Sequence, residues 1–433
     1  MVEFAALLTK HDLRFFAAVL TISMPQRPLV NTYVQSRASS ATNLRLLHLP
    51  PVDPPAPKHY HSSVAFLSLH IHNHRRHIRN ALLSLLPAAV FVDMFCTSAA
   101  DVAAELSLPC YLFFTSPASF LSFTLHLPQR VDSESSEFEF RKPLAPNRFA
   151  QPRVGSQRRA FVAVTPCGKV QETKGIVVNT LHELEPHALQ SLYNDSRLPL
   201  VYPIGPVVDL VGSAQWDPNP IQYNRIIEWL DRQPVSSVVF LCFGSMGSLK
   251  AKQVEQIAIG LERAGVRFLW ALREPPKAQL EDPKDYANEG DALPLPDGFL
   301  ERTRGMGLVC GWVPQAKVLA HGSIGGFVSH CGWNSILESL WHGVVIATWP
   351  MYAEQKMNAF EMVRELGLAV EIGGVGGDLV RAETVESGVR TLMEGADEIR
   401  RKVKEMREKC REAWMQNGSS YNNLVTLIQE LTT

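Results

Sequence analysis

The 433-residue sequence contains no C-x-x-C pair, and its seven cysteines are odd in number and widely spaced between Cys96 and Cys410. That pattern excludes a disulfide framework, offers no zinc-ligand spacing, and fits a reducing, cytoplasmic setting. Long apolar runs are also missing. The segment Phe15–Ile22, preceded by Lys10 and Arg14, has eight residues where a bilayer needs about 20, Asp12 interrupts its basic flank, and no small-residue cleavage site follows. It reads as a buried strand, and no stable membrane insertion is expected. Neither charge dominates: 42 Lys and Arg face 43 Asp and Glu, so no overall field draws nucleic acid or an anionic membrane. Short repeats and low-complexity tracts are absent. No strand is followed by G-x-G-x-x-G, and Gly244-Ser-Met-Gly247 is too short to stand in for it, which sets aside an NAD-dependent oxidoreductase.

What is present belongs to a folded chain: 46% hydrophobic and 20% charged residues, with 27 Gly and 29 Pro scattered throughout. At this length one core stops growing, and two domains of roughly 200 residues with a cleft between them are expected. Apolar strands alternate with amphipathic helices in both halves. In the first, Phe15–Ile22, a helical stretch over Val64–Leu86, strand Ala88–Val92 ending in Asp93, helix Ser98–Leu106, strand Cys110–Thr115, helix Ser119–Leu127 and strand Gly175–Thr180 predict a parallel α/β sheet. From Val131 to Val170 the periodicity is lost, and a loop or lid is expected. Pro203–Pro220 reads as a linker. The second half restarts with strand Ser237–Phe243, then strand Arg267–Leu272, strand Gly307–Gly311, strand Gly326–Ser329 and helix Ser335–His342, a second doubly wound unit.

The chemistry concentrates between Trp312 and Gln355. His330-Cys331-Gly332-Trp333-Asn334-Ser335 lies between a strand and a helix, where backbone N–H groups and the positive helix end suit a diphosphate. His330, Asn334 and Ser335 add donors, and Gly332 allows close backbone approach. Glu338, one turn on, could accept from ribose hydroxyls. Trp312 offers a flat face for a base. Glu354 and Gln355 pair a carboxylate with an amide, groups suited to sugar hydroxyls.

This 44-residue stretch, with its Trp-x-Pro-Gln start, His-Cys-Gly-Trp-Asn-Ser centre and Glu-Gln end, resembles the signature box of plant family 1 UDP-glycosyltransferases. Asp93-Met-Phe-Cys-Thr, Lys174-Gly-Ile-Val-Val-Asn, Phe243-Gly-Ser-Met-Gly and Tyr352-Ala-Glu-Gln are similar to the subgroup that glucosylates flavonoids, dihydrochalcones and small phenols. The resemblance implies a GT-B fold, two Rossmann-like doubly wound parallel-sheet domains. It assigns 1–205 to acceptor binding, 206–415 to UDP-sugar binding, and 416–433 to a helix packing back on the first domain. It also implies an inverting glucosyltransferase and a monomer, with UDP-glucose as donor, a small phenolic acceptor, and neither metal nor other cofactor. Trp312 would stack on uracil, with Val313, Gln315 and Glu338 holding the base and ribose. His330, Asn334, Ser335 and Ser245 would grip the diphosphate, and Trp333, Glu354 and Gln355 the sugar.

The family's base is a histidine in the loop after its first strand, partnered by an aspartate that Asp93 matches. Val2–Leu8 resembles the helix that follows that histidine, and His11 lies beyond it. The expectation is therefore a chain wanting that strand and its histidine, one that binds donor and turns over poorly; a UDP-sugar-binding protein without catalysis is the alternative. Val131–Val170 does not follow the family, and Val345 stands where the family has proline. Taken singly, Trp312 or Trp333 would be core, Asp93 a helix cap, Cys331 a packing residue, and His70, His74 and His77 part of a solvated basic face rather than a metal site.

Overall fold

The computed structural model describes residues 1–24, 34–36, 43–60, 62–131, 170–209, 220–277, 281–286, 293–372 and 379–432. The sequence's expected loop or lid falls almost wholly on 132–169, outside the described residues. In the first half, β1 (Ala17–Thr21) pairs in parallel with β2 (Leu44–His48). A four-stranded parallel sheet runs β3 (Val90–Val92), β4 (Cys110–Phe114), β5 (Gly175–Val178), β6 (Leu200–Pro203). Every residue of β4 and β5 is buried, as expected of parallel strands covered on both faces.

The second half builds a six-stranded parallel sheet from β7 (Val238–Cys242), β8 (Arg267–Ala271), β11 (Gly307–Cys310), β12 (Ile324–Ser329), β13 (Val345–Thr348) and β14 (Ala369–Glu371). Two-residue strands β9 (Arg273–Glu274) and β10 (Lys284–Asp285) pair antiparallel beside it. The order across the large sheet is β11-β8-β7-β12-β13-β14. Numbered within the unit this is 3-2-1-4-5-6, so the direction of winding reverses between β7 and β12. A crevice opens at the carboxyl ends of the strands at such a point.

Helices cover the large sheet because their apolar residues recur at helical spacing. Helix Ala251–Ala264 buries Val254, Ile257, Ala258 and Leu261, and stops at Gly265, whose φ of 66° provides the left-handed cap. Helix Ala382–Glu394 crosses it over Gly260, where Val385 fills the space that a side chain would take. The last helix, Ser419–Thr432, leaves the second unit and returns to the first sheet. Its Leu424, Leu427 and Ile428 join Phe4, Tyr111, Phe113, Val177 and Tyr202 in one core, and the hydroxyls of Tyr111 and Tyr202 both donate to Glu430.

Three expectations are corrected, the first being the buried strand over Phe15–Ile22: β1 is only half-buried along its length, and Phe16 beside it is 61% exposed. The helix over Val64–Leu86 is two, Ser63–Asn73 and Arg75–Leu85, broken at His74. His70 and His74 do not lie on a solvated face: they are 6% and 1% exposed, His70 stacks on Phe66, and His74 Nδ1 meets the His70 carbonyl at 2.8 Å. Periodicity marked the helix but not which face its histidines took. The sequence also gave no warning of β2, β6, β13 or β14, short apolar runs that a helical reading accommodates equally well.

At Gly260 a Cβ would lie 2.6 Å from Val385 Cβ and 2.8 Å from the Ala382 carbonyl oxygen. Alanine's better helix propensity recovers only part of that overpacking. Gly260→Ala should therefore lower stability by about 1–2 kcal/mol, read as a lower urea midpoint. An unchanged midpoint would mean that the two helices part without strain.

Candidate functional site

The crevice at the switch point is built around one imidazole. β12 carries the chain to His330, which is 7% exposed, and the ring sits against two glycines from different loops. A Cβ on Gly244, after β7, would come within 2.6 Å of His330 Nε2, and one on Gly332 within 2.5 Å. Only glycine fits at either place. Burial lowers the ring's pKa to about 4, so it is neutral at physiological pH, and its buried Nδ1 has no hydrogen-bond partner. Cys331 then takes a left-handed φ of 62°, with its carbonyl accepting from Asn358 Nδ2 at 2.9 Å. Helix Trp333–His342 follows with Gly332 at its N-cap and no side chain capping it. Its first-turn N–H groups, which have no intrahelical acceptors, and the positive helix end are thus presented at the crevice.

Around that turn the predicted residues converge. Gln315, opening helix Gln315–Leu319, donates from one amide nitrogen to Ser335 Oγ at 2.9 Å and to Glu338 Oε2 at 2.7 Å. Burial raises the Glu338 pKa to about 7; the Gln315 bond opposes the rise, and the nearby Asp209 charge adds to it. Trp312 is partly buried. Its main chain is held on both sides, with the N–H donating to Asp285 Oδ1 at 2.8 Å and the carbonyl accepting from Gln222 at 2.8 Å, while Arg273 pairs with the same Asp285 oxygen at 2.8 Å. Val313 is buried in the core, so any contact to a base must come from its main chain. Ser245 is exposed on the loop after β7.

Past β13, Gln355 is 3% exposed and its carbonyl oxygen accepts from the Met351 and Tyr352 N–H groups, both at 2.9 Å, which closes the loop and leaves its NH₂ as the free end. Glu354 accepts from Ser116 Oγ of the first unit at 3.2 Å. Trp333 lies differently from what a sugar contact would need: its side chain is 2% exposed, and the indole N–H donates to the Asn179 carbonyl at 2.7 Å. What it can offer a ligand is its main chain.

In the first unit, Asp93 directly follows β3. Its Oδ1 accepts from Phe95 N–H at 2.8 Å, and it borders an apolar cavity with Val92, Met94, Ala100, Leu112, Phe114 and Leu121. The amino end of helix Val2–His11 faces it: burial lowers the Met1 amino pKa, and the Asp93 carboxylate acts in the opposite direction. The neighbouring Cys96 thiol is raised by burial first and by Asp93 second, which makes it a poor nucleophile. Among the described residues no three His, Cys, Asp or Glu side chains converge as a metal site would require.

Sequence reasoning passed over the groups that hold this site in place. Asn179 lay in a polar turn at a strand's carboxyl end, a position that by itself marks crevice residues. Asp285 sits in a charged insertion with no periodic signal, and Ser116 falls in the short gap between strand Cys110–Thr115 and helix Ser119–Leu127, where nothing marked it.

The family model for UDP-glucoronosyl and UDP-glucosyl transferase matches residues 173–395. UDP-glycosyltransferase 43 of Pueraria montana var. lobata is 66% identical, with 100% of this chain and 96% of that protein covered. The UDP-glucose flavonoid 3-O-glucosyltransferase 6 of Fragaria ananassa is 40% identical, covering 100% and 95%. Among solved structures, Medicago truncatula UGT71G1 complexed with UDP-glucose superposes with a TM-score of 0.88 at 37% identity, covering 100% of this chain and 95% of that one. A UGT transferase from Siraitia grosvenorii in complex with UDP gives 0.86 at 39%, covering 100% and 96%. With the two facing parallel-sheet units, these likenesses put the chain in the GT-B class of α/β folds.

The raised Glu338 has a consequence for stability. An unfolded glutamate ionises near 4.5, whereas this one keeps its proton to about pH 7. Between those values the folded state binds more protons, so its stability falls as pH rises through that window. Glu338→Gln has no proton to lose. Relative to it, the unliganded wild type should lose up to about 3 kcal/mol between pH 4.5 and 8 in urea titrations. Parallel profiles would show the carboxyl already ionised.

Proposed function

The chain belongs to the UDP-glucoronosyl and UDP-glucosyl transferase family, and from that premise we propose that it transfers glucose from UDP-glucose, with inversion, to a phenolic hydroxyl of a small plant metabolite. The observation that carries this is the convergence of His330, Gln315, Ser335 and Glu338 on the uncapped helix start at the switch point, with Glu354 and Gln355 opening the helix whose Asn358 bonds the Cys331 carbonyl beside it. Such a turn answers the needs of a nucleoside diphosphate sugar along its whole length. Trp312 stacks on the uracil, the Val313 main chain and Gln315 hold the base, and Glu338 takes the ribose hydroxyls. His330, Asn334, Ser335 and Ser245 with the helix N–H groups receive the diphosphate. Glu354, the Gln355 NH₂ and the Trp333 main chain take the sugar. A neutral His330 contributes a hydrogen bond there rather than a charge.

In the reaction the acceptor hydroxyl oxygen attacks the anomeric carbon on the face away from the diphosphate. The bond from that carbon to the diphosphate oxygen breaks as the new one forms. The hydroxyl proton would pass to a base histidine, which the resemblance puts in a loop ahead of helix Val2–His11 and which has no counterpart among the 433 residues; Asp93, facing that helix's amino end, would orient the imidazole and stabilise its charged form. The charge that develops on the departing UDP is met by donors already in position, so little reorganisation is needed. The flavonoid glucosyltransferase among the relatives supports an aromatic acceptor, and the side chains lining the small cavity beside Asp93 are largely apolar, as contact with such a ring requires.

The same reading divides the chain into an acceptor-binding unit, 1–205, and a donor-binding unit, 206–415, with 416–433 returned to the first; the Ser419–Thr432 packing on Tyr111 and Tyr202 supports it. Both substrates meet within one chain, which supports a monomer as the working state. Cys110, Cys242, Cys331 and Cys410, buried and unpaired, support a reducing cytoplasmic location, and no described helix is long and apolar enough to cross a membrane.

Glu354→Ala tests the assignment of the sugar site. Losing a charged hydrogen-bond acceptor should lower kcat/KM for UDP-glucose about 10- to 100-fold, with the UDP dissociation constant changed less than about threefold. Undiminished glucosyl transfer by this variant would refute the site.

A further inference from the structure

We infer that Asn179 of the first unit is a positioning residue for the donor diphosphate, acting by fixing which end of the Asn334 side chain faces the cleft. This rests on the proposed role of Asn334 as a diphosphate ligand. Asn179 is 2% exposed and stands at the carboxyl end of β5, facing the start of helix Trp333–His342. Its own backbone is fixed on two sides: the N–H donates to the Phe114 carbonyl at 2.9 Å, and the carbonyl accepts from the Trp333 indole at 2.7 Å.

The orientation of its amide follows from a group that cannot be turned round. The Val207 backbone N–H can only donate, so the Asn179 atom 2.7 Å from it is the carbonyl oxygen Oδ1. The other end is therefore Nδ2, which donates to the Val207 carbonyl at 3.3 Å and to the Asn334 side chain at 3.4 Å. A donor must face an acceptor, so Asn334 turns its Oδ1 inward and its NH₂ outward. Asn334 is itself exposed, and without this constraint its amide could present either end to the cleft. One end is a donor that suits a phosphate oxygen; the other is a carbonyl oxygen that repels it. The first unit therefore decides the polarity of a ligand group carried by the second, and the decision is inherited from a main-chain N–H. The contact to Asn334 is long, so the expected effect is modest and specific: it acts on the diphosphate and not on the nucleoside.

The test measures UDP and uridine affinities calorimetrically on the full chain carrying Asn179→Ala, Asn334→Ala and both changes. Asn179→Ala should weaken UDP about three- to tenfold and leave uridine within about twofold. In the Asn334→Ala background the same change should cost UDP nothing further, because the group it acts through is gone. Equal losses for UDP and uridine, or the same loss in both backgrounds, would overturn the positioning role while leaving Asn334 as a ligand. If Asn334→Ala alone leaves UDP affinity intact, the diphosphate assignment fails, and the inference with it. Should Asn179→Ala fail to fold in a melting scan, Asn179→Asp serves: it keeps the Val207 bond, presents an acceptor to Asn334, and should weaken UDP more in the wild-type than in the Asn334→Ala background. A loss of the same size in both backgrounds would count against the role here too.

Discussion

The donor side of this molecule depends on a single imidazole buried between two glycine backbones. His330 fills the space at the switch point, so the loops after β7 and β12 approach as closely as a bare Cα allows and no closer. Burial makes the charged form costly and holds the ring neutral. That closeness sets the left-handed turn at Cys331, the open start of helix Trp333–His342, and the reach of Gln315 to Ser335 and Glu338. A side chain on either glycine would push the loops apart and move every donor in the turn together.

Among the described residues, the contacts across the seam between the two units are hydrogen bonds and buried carboxyls rather than opposed charges. Asn179 meets Trp333 and Asn334, Ser116 meets Glu354, and Ser119 Oγ donates to Glu361 at 2.6 Å. Glu185 accepts from the N–H groups of Ala118 and Ser119, so it caps the helix Ala118–Val131 from beneath. Burial raises both its pKa and that of Glu361, whose neighbours Glu185 and Glu365 raise it further. Such contacts are directional and are little weakened by salt. They hold the units in one register, which a cleft reading two substrates at once requires.

The strand and helix alternation and the gathering of Gln315, His330, Ser335 and Glu338 around one turn were legible because each is a local pattern: most buried strands read as apolar runs, and the segment from Trp312 to Gln355 is one continuous stretch. The supports were not legible, since each joins residues far apart in the chain. Asp285 reaches Trp312 from a charged insertion, and Asn179 reaches Asn334 across 155 positions. Trp333 shows the limit most clearly. Its place in the motif suggested a sugar contact, but an indole in that turn also had an apolar interior and a carbonyl within reach, and it took them. The break at His74 has the same character: the helical period runs through it, and only the fold shows that His74, buried against His70, divides the helix.

The return of helix Ser419–Thr432 to the first sheet bears on how the molecule is made. Leu424, Leu427 and Ile428 complete a core whose other members, from Phe4 to Ile204, are synthesised long before them. Until those last turns emerge from the ribosome, that core stays only partly covered, by helix Val2–His11, with Tyr111 and Tyr202 lacking their carboxylate partner. The nascent first unit must wait through the whole of the second with apolar surface uncovered, the condition under which chains are most prone to associate wrongly. The order of synthesis and the order of completion therefore run in opposite directions, and the helix emerging last closes the unit begun first.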